Sequence, residues 1–371
     1  MEIRKVTPAD VRLGMLIPWD VHGDNGRLLA RKGYLISSPS QIAALIERGI
    51  YQDDSIEADS KEPPSVLRKL NAAQLELQLL LSAIANANAT RDTRRRLDEV
   101  VRLVVEAAEL DADVAIACIL HNQTAAYAVR HSVDTAVVAY LIARSLDVPA
   151  AMLRSICLAA LTMNVGMFDQ HERSHASRLP LSAADRAHIR QHPYASVALL
   201  RRAGVDDEHS LDCVLAHHEN DDGSGYPAGR SGADIPLGAK LIALADRYCA
   251  QVSARVFRAP LRPNLALREI LLQAGVTVDA QLGAGLIREL GIYPVGTCVQ
   301  LSNGEIGIVA RKGLSSTTPY VDSVVGPRGA PLDVYLRRKT GTLHTIRNVL
   351  AANPSPAPLR MELIWGRAAS P

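Results

Sequence analysis

Two adjacent histidines, His217 and His218, precede the segment Asp222–Pro227, which reads Asp-Gly-Ser-Gly-Tyr-Pro. Adjacent imidazoles are costly to place in a protein core and are well suited to binding a divalent metal. The glycines and the proline that follow predict a rigid turn, which neither a regular helix nor a strand would accommodate. Histidines beside such a turn predict a metal site.

The chain also carries His131, His192 (which precedes Pro193) and Asp246 on either side of this stretch. Metal-dependent hydrolysis of a phosphate ester by two ions requires several histidines and a carboxylate that bridges the ions. In its order of residues, and in its Gly225-Tyr226-Pro227 loop, the chain resembles the HD-GYP family of metal-dependent phosphohydrolases, which open cyclic di-GMP. The resemblance implies that His131, His192, His217, His218 and Asp246 derive from metal ligands.

The sequence departs from the family where the name-giving His-Asp pair should stand, because Met163 and Asn164 occupy those positions. A thioether is a poor ligand for Fe, Mn, Mg or Zn compared with imidazole. A neutral amide cannot supply the bridging negative charge that holds two cations close together. We therefore expect no hydroxide-bridged metal pair. The family's phosphate-binding lysine is replaced by Met167, and we assign no catalytic residue.

A weaker metal site can survive these changes. The resemblance leaves Fe, Mn or Zn at reduced occupancy on the residual ligands, and His192, His217 and His218 could together hold one zinc ion. His171 and His175, spaced four residues apart just after the altered pair, could compensate for the lost ligands. Their polar surroundings favour the simpler interpretation, that they are solvated residues of a loop.

Other parts of the pocket are predicted from the resemblance alone. Arg255 and Arg258 match the family's phosphate-binding arginines, and a guanidinium group suits phosphate oxygens. Cys249 replaces a second aspartate, and no base beside it supports a role as a nucleophile. The loop Gly225, Tyr226 and Pro227 matches the surface that is proposed, in this family, to contact diguanylate cyclase domains.

Composition excludes several classes of protein. The chain of 371 residues has 48% hydrophobic and 22% charged residues and a net charge of +2, which predicts a soluble globular protein without a nucleic-acid or membrane partner. The N-terminus shows no secretory signal, and the five scattered cysteines are typical of a reduced, cytoplasmic protein. Self-association into a homodimer stays open.

The predicted fold is mainly α: an HD-type helical bundle with a small β-rich N-terminal domain and a β-rich C-terminal extension. Within 1–58, a short helix is predicted over Gln41–Arg48. An Asn303-Gly304 turn between two β-favouring runs predicts a hairpin, and residues 353–358 predict an extended tail. Helical periodicity over 66–146 breaks once, at 90–96.

The predicted domains are 1–58, a linker with connecting helices at 59–110, the HD-GYP-like helical domain at 111–290, and the extension at 291–371. The predicted core helices are 149–163, 182–191, 194–204, 208–217, 237–254 and 264–273.

Three functions remain. The preferred one is a degenerate HD-GYP protein of cyclic di-GMP signalling that binds a nucleotide or a protein partner through an impaired metal site. The second is an active cyclic di-GMP phosphodiesterase that uses an altered metal site. The third is a structural interaction module that binds no nucleotide.

Overall fold

The chain folds into two compact units, Met1–Pro63 and Pro64–Pro371. This computed structural model describes the chain from residue 2 to residue 371. It leaves out residues 9, 12–14, 16, 18, 24–27, 32–33, 35, 37, 54–62, 178–180, 255–258 and 352–358. The predicted domain boundaries after residues 58, 110 and 290 stay predictions.

The first unit is a four-stranded antiparallel sheet with one helix. Its strands are β1 (Glu2–Lys5), β2 (Val21–His22), β3 (Leu28–Ala30) and β4 (Ile50–Asp53), in the order β1-β4-β2-β3. The helix α1 (Pro39–Arg48) begins with a reciprocal cap between Ser38 and Gln41, which satisfies backbone donors at its first turn. The predicted β-rich N-terminal domain is confirmed.

The second unit begins with four helices: α2 (Val66–Ala85), α3 (Thr93–Leu110), α4 (Ala112–His121) and α5 (Tyr127–Ser145). The prediction of a single break in the helical run, at 90–96, is therefore wrong. The run is also interrupted at Asp111 and at residues 122–126. Asp111 ends α3 with an extended backbone, and its side chain accepts a hydrogen bond from the amide of Val114, which starts α4.

The remaining helices of the bundle are α6 (Ala150–Thr162), α7 (Phe168–Ala176), α8 (Ala183–Arg202), α9 (Glu208–Ala216), α10 (Leu237–Val252), α11 (Pro263–Leu271) and α12 (Ala280–Leu290). The predicted break between 191 and 194 is wrong, since α8 continues through Pro193. Proline removes one helical hydrogen bond without ending this helix, and His192 replaces the missing donor, as described below.

Helix α5 is the centre of the bundle. Every residue from Tyr127 to Ala143 is buried, which is the pattern of a helix surrounded by neighbours. Helices α6 and α10 pack against it, and this brings His131 of α5 beside Asp246 of α10. The run Ala150–Arg173 is long and apolar enough to cross a membrane by length and composition alone, but 56% of its apolar window is buried inside the fold.

The C-terminal extension is a five-stranded antiparallel sheet. Its strands are β5 (Cys298–Leu301), β6 (Ile306–Arg311), β7 (Tyr320–Val325), β8 (Pro331–Lys339) and β9 (Ile346–Val349), in the order β8-β7-β6-β5-β9. The structure contains the predicted hairpin, with Gly304 in the left-handed region at φ +89°. A short helix, α13 (Met361–Trp365), follows the sheet, and the predicted extended tail at 353–358 lies outside the described residues.

The mainly α fold with β-rich ends is confirmed. One apolar core joins the C-terminal sheet to the helices, and the indole Nε1 of Trp365 donates to the carbonyl of Ala310 at 2.9 Å inside it.

Gly166 lies where α8 approaches the turn that follows α6. A Cβ atom at this position would be 2.6 Å from the backbone nitrogen of Ser196 and 2.7 Å from the carbonyl oxygen of His192. The hydroxyl of Ser196 accepts from the amide of Gly166 at 2.9 Å and donates to the carbonyl of Met163 at 2.7 Å. This contact fixes His192 relative to the altered Met163-Asn164 pair.

We expect Gly166→Ala to lower the free energy of unfolding by about 1–3 kcal/mol, because backbone atoms of α8 would have to move. Urea denaturation followed by circular dichroism measures the change. The control is Gly285→Ala in α12, whose added Cβ would meet only the Ile142 side chain at 3.7 Å and should be neutral or slightly stabilising. Equal urea midpoints for Gly166→Ala and the parent would contradict the expected overpacking.

Candidate metal centre

Three histidines from two helix regions converge on one point. His192 belongs to α8, His217 follows the last residue of α9, and His218 is the next residue along the chain. One ring nitrogen from each of them lies within 4.8 Å of the others. Among the described residues, these three side chains form a group that is close enough together to hold one metal ion.

Two backbone carbonyls set the orientation of His192 and His217. Because Pro193 has no N–H, the carbonyl of Ile189 lacks its helical donor, and Nδ1 of His192 donates to it at 2.5 Å. At the end of α9, where carbonyls have no helical partner, Nδ1 of His217 donates to the carbonyl of Val214 at 2.6 Å. Each neutral ring therefore presents a lone pair at Nε2.

The Nε2 atoms of His192 and His217 are 3.2 Å apart. With both protons placed on Nδ1, no hydrogen bond joins these atoms, so their lone pairs repel each other unless a cation lies between them. Two nitrogens at about 2.0–2.1 Å from one tetrahedral zinc ion are about 3.3 Å apart. The donor set and its spacing therefore fit a single zinc-like ion.

All three rings are held in the neutral form that a metal requires. Burial, reinforced by the neighbouring His217, lowers the pKa of His192 to about 3. Burial also lowers the pKa of His217, and burial together with His217 takes the pKa of His218 well below its usual value. Metal binding at neutral pH would therefore displace no proton from these nitrogens.

His131 and Asp246 form a pair beside this cluster. Nε2 of His131 donates to Oδ1 of Asp246 at 2.7 Å, and the two side chains are 2% and 17% exposed. Burial acts to raise the pKa of Asp246, but the hydrogen bond from His131 and the electrostatic effect of His131 and His218 outweigh it, so the pKa lies below its usual range. Asp246 is thus an anion facing the histidines.

Met163 and Asn164 take different positions in the wall. The Met163 side chain is fully buried in the apolar core, while Asn164 lines a cavity next to His131 and Asp246. The amide oxygen of Asn164 is buried and has no hydrogen-bond partner among the described residues. Asn164 therefore presents a neutral, unpaired oxygen at the position where a bridging carboxylate was expected.

The cavity in front of these residues has a volume of about 180 Å³. Its walls combine titratable, polar and apolar side chains: His131, Asn164, Met167, Gln170, His171, Leu181, Ile189, His218, Tyr226, Asp246 and Ala250. His171 is thus a wall residue, with its ring 5.5 Å from that of His131. His175 instead stacks on Tyr127 at 3.9 Å, with Nε2 at 2.8 Å from the carbonyl of Ala254.

The Gly225-Tyr226-Pro227 loop closes one side of the cavity. The Tyr226 ring stacks on His218 with a centroid distance of 4.6 Å, and the Tyr226-Pro227 peptide bond is cis. Glu219 holds the loop, since its Oε1 accepts from the amide of Ala228 at 2.7 Å. The loop therefore supports a metal-facing histidine through direct stacking.

Three other positions are singled out from the sequence: Cys249, Arg255 and Arg258. Cys249 is buried, and burial raises the pKa of its thiol well above the usual value, so it is no thiolate nucleophile at neutral pH. Arg255 and Arg258 lie outside the described residues. Their predicted phosphate contact stays a prediction.

Sequence reasoning missed three supporting groups: the carbonyl of Ile189, the carboxylate of Glu219 and the ring of Tyr226 as a stacking partner. A proline inside a helical pattern carries a signal for the first, because it always frees the carbonyl four residues earlier. Neither of the other two contacts had a signal beyond the motif itself.

Comparison with known proteins places these residues in a family context. A family model described as HD domain matches residues 108–282. A cyclic di-GMP phosphodiesterase from Pseudomonas aeruginosa is 30% identical over 196 residues, which cover 53% of this chain and 47% of the relative. The cyclic di-GMP phosphodiesterase PdeB of Borreliella burgdorferi is 21% identical over 54% of this chain and 53% of the relative. The matched region spans about half the length of these relatives.

A solved structure shares the fold. An HDG"Y"P protein from Bdellovibrio bacteriovorus matches 77% of this chain and 98% of its own, with a TM-score of 0.53 and 14% sequence identity.

A further sequence relative is a 3'3'-cGAMP-specific phosphodiesterase of Vibrio cholerae, which is 30% identical over 144 residues, covering 38% of this chain and 32% of the relative.

We expect the metal-free chain to take up one zinc ion, and His217→Ala to weaken zinc binding by more than the ~10–100-fold that loss of an outer partner costs. Isothermal titration calorimetry measures stoichiometry and affinity. The control is His188→Ala, which removes an exposed histidine of the same bundle, one helical turn before His192. Equal affinity in His217→Ala and the parent would exclude this cluster as the zinc site.

Pro193→Ala should have opposite effects on stability and on metal binding. The new N–H can donate to Ile189, so the metal-free helix gains up to about 3 kcal/mol, while His192 loses its orienting acceptor and zinc affinity falls by about 10–100-fold. Urea denaturation and zinc titration measure the two effects, with Tyr194→Ala on the exposed face of α8 as the control. A variant that binds zinc as tightly as the parent would show that the freed carbonyl does not orient His192.

Proposed function

We propose that the HD domain of this chain, which a family model matches over 108–282, is of the HD-GYP type, and that the protein acts in cyclic di-GMP signalling by binding a nucleotide at an impaired metal site. Its relatives are cyclic dinucleotide phosphodiesterases by name. We propose that the chain has kept the binding part of that function and lost most of the hydrolysis. The proposal places it in the cytoplasm.

One observation carries the proposal: the three-histidine cluster is complete, while the position of the bridging carboxylate presents the amide of Asn164. A divalent ion at this cluster would supply positive charge and Lewis acidity to a phosphate. His192, His217 and His218 would hold it. Asp246 is the carboxylate among the cavity-lining residues, and its hydrogen bond from His131 occupies one of its two oxygens.

A second ion would be poorly held next to the first. Without a carboxylate at position 164, two cations at short distance would lack the negative charge that screens them from each other. Met163 is buried among apolar side chains and offers only a thioether. We therefore propose one divalent ion (Zn, Mn or Fe) in place of a pair.

The cavity size limits what part of a nucleotide can enter. Pockets for drug-sized ligands have volumes of about 300–1,000 Å³, and the cavity here has about 180 Å³. It can take a phosphodiester group and adjoining sugar atoms, so the bases would lie at its mouth. Arg255 and Arg258 remain proposed phosphate contacts from the family resemblance.

A second candidate is an active phosphodiesterase with an altered metal site. The observation that favours it is the position of His171, which lines the cavity together with His131 and Asn164. A shift of this side chain could supply an imidazole toward the missing half of the site. His175 is the weaker candidate, because its Nε2 contacts the carbonyl of Ala254.

The Gly225-Tyr226-Pro227 loop is the proposed contact for a diguanylate cyclase domain. All three residues are partly exposed, and Ala228 and Gly229 beyond them are exposed. Since Tyr226 also stacks on His218, a partner that moved the loop would alter the metal site.

We expect the zinc-loaded chain to bind cyclic di-GMP while hydrolysing it at least about 100-fold more slowly than an ordinary family member. Metal content, nucleotide affinity and product formation should be measured on one preparation, with His188→Ala as the control for His217→Ala. Ordinary turnover that His217→Ala abolishes would favour the second candidate. Absence of nucleotide binding would leave only a structural interaction module.

The double variant Met163→His with Asn164→Asp should rebuild the bridging site. Without metal it should be less stable than the parent by about 1–3 kcal/mol, because both new groups are polar in a buried position. Bound Mn²⁺ should reverse this loss, since an ion at 100 times its dissociation constant adds about 2.7 kcal/mol. Thermal unfolding and Mn²⁺ titration measure both effects, and Met163→Leu is the control. If the double variant binds no more Mn²⁺ than the parent, the pocket has changed beyond these two positions.

A further inference from the structure

Arg190 lies on α8, two residues before His192, with its guanidinium carbon 5.2 Å from the centre of the Tyr226 ring. The Tyr226 ring also stacks on His218, with a centroid distance of 4.6 Å. Arg190 is exposed, Tyr226 is partly buried, and His218 belongs to the histidine cluster. The three side chains therefore connect the surface to the candidate metal centre.

The N–H groups of Arg190 are uncommitted among the described residues: no carboxylate lies within 4.0 Å, and its side chain donates no hydrogen bond there. Other cations of the bundle differ in this respect. Lys240 pairs with Asp221 at 2.5 Å, and Arg173 donates to Gln170 at 2.9 Å. Stacking on Tyr226 uses the face of a guanidinium group and leaves its donors at the edge.

The cavity needs a cation if it is to hold an anion. Asp246 contributes a negative charge to its wall, and Met167 contributes only an apolar side chain. Ile189 and Tyr226, the chain neighbour and the stacking partner of Arg190, both line the cavity, so Arg190 adjoins two residues of the cavity wall.

We propose that Arg190 contacts the phosphate of an anionic ligand in this cavity, as a specificity-determining residue that replaces the cationic function absent at Met167. The ligand class, a phosphodiester of a cyclic dinucleotide, rests on the function proposed above. A guanidinium fork can donate two parallel hydrogen bonds to phosphate oxygens, and stacking on Tyr226 holds the fork in place before the ligand arrives. Lysine at this position would keep the charge and lose the two-point contact.

The test uses the full, zinc-loaded chain with Arg190→Gln and Arg190→Lys. The control is Arg186→Gln, which changes an exposed arginine one turn earlier on α8, whose guanidinium donates to the carbonyl of Leu181. Two probes are titrated separately: cyclic di-GMP and inorganic phosphate. A zinc titration of each variant reports whether the metal centre itself is intact.

We expect Arg190→Gln to bind both probes about 10–100-fold more weakly, Arg190→Lys to fall between it and the parent, and zinc affinity to stay unchanged. If the parent binds phosphate through Arg190 but not cyclic di-GMP, the proposed nucleotide is wrong and the phosphate contact stands. If Arg190→Gln binds the probes as tightly as the parent, or if the parent binds neither probe, the role of Arg190 is overturned.

Discussion

The candidate site depends on two backbone carbonyls that have no helical donor. Ile189 is freed by Pro193 inside α8, and Val214 is freed by the end of α9. Each accepts the Nδ1 proton of a histidine three residues later, so two Nε2 lone pairs face each other at 3.2 Å. This arrangement is unfavourable without a cation and favourable with one. Hydrogen bonds to the backbone of the two helices thus orient the histidines of the candidate metal centre.

The surrounding fold keeps that geometry although the neighbouring His-Asp pair is absent. Ser196 of α8 bonds to both Gly166 and Met163, so the segment carrying the altered pair is held against the helix that carries His192. Met163 is accommodated as a fully buried residue of the apolar core. A buried Met163 and a convergent three-histidine cluster are therefore compatible with one stable bundle.

Charge decides which chemistry this pocket can support. The three histidines are neutral because they are buried, and Asp246 is ionised because His131 donates to it. A divalent ion held by these histidines would keep a net charge of about +1 beside the single carboxylate of Asp246, which suits an anionic ligand. The relatives with named phosphodiesterase activity share only about half their length with this chain, so binding and catalysis at this pocket must be argued from its own residues.

The sequence by itself determined the features that depend on neighbours along the chain. The His217-His218 doublet with its turn, the missing pair at Met163 and Asn164, and the Asn303-Gly304 hairpin all express local chemistry, as do the helix periods of the bundle. The helix break predicted at Pro193 is wrong. Proline is tolerated inside this helix because packing and the His192 side chain compensate for the lost hydrogen bond.

Only the tertiary structure decided what distant residues do together. His131 and Asp246 are 115 positions apart and meet because α5 and α10 pack side by side. Both His171 and His175 contact Tyr127, but only His171 lines the cavity, a difference on one short helix that composition cannot reveal. The position of Arg190 over Tyr226 likewise joins a helix to a remote loop. Such contacts are set by packing between elements, because residue types and spacing along the chain carry no information on the distance between two helices.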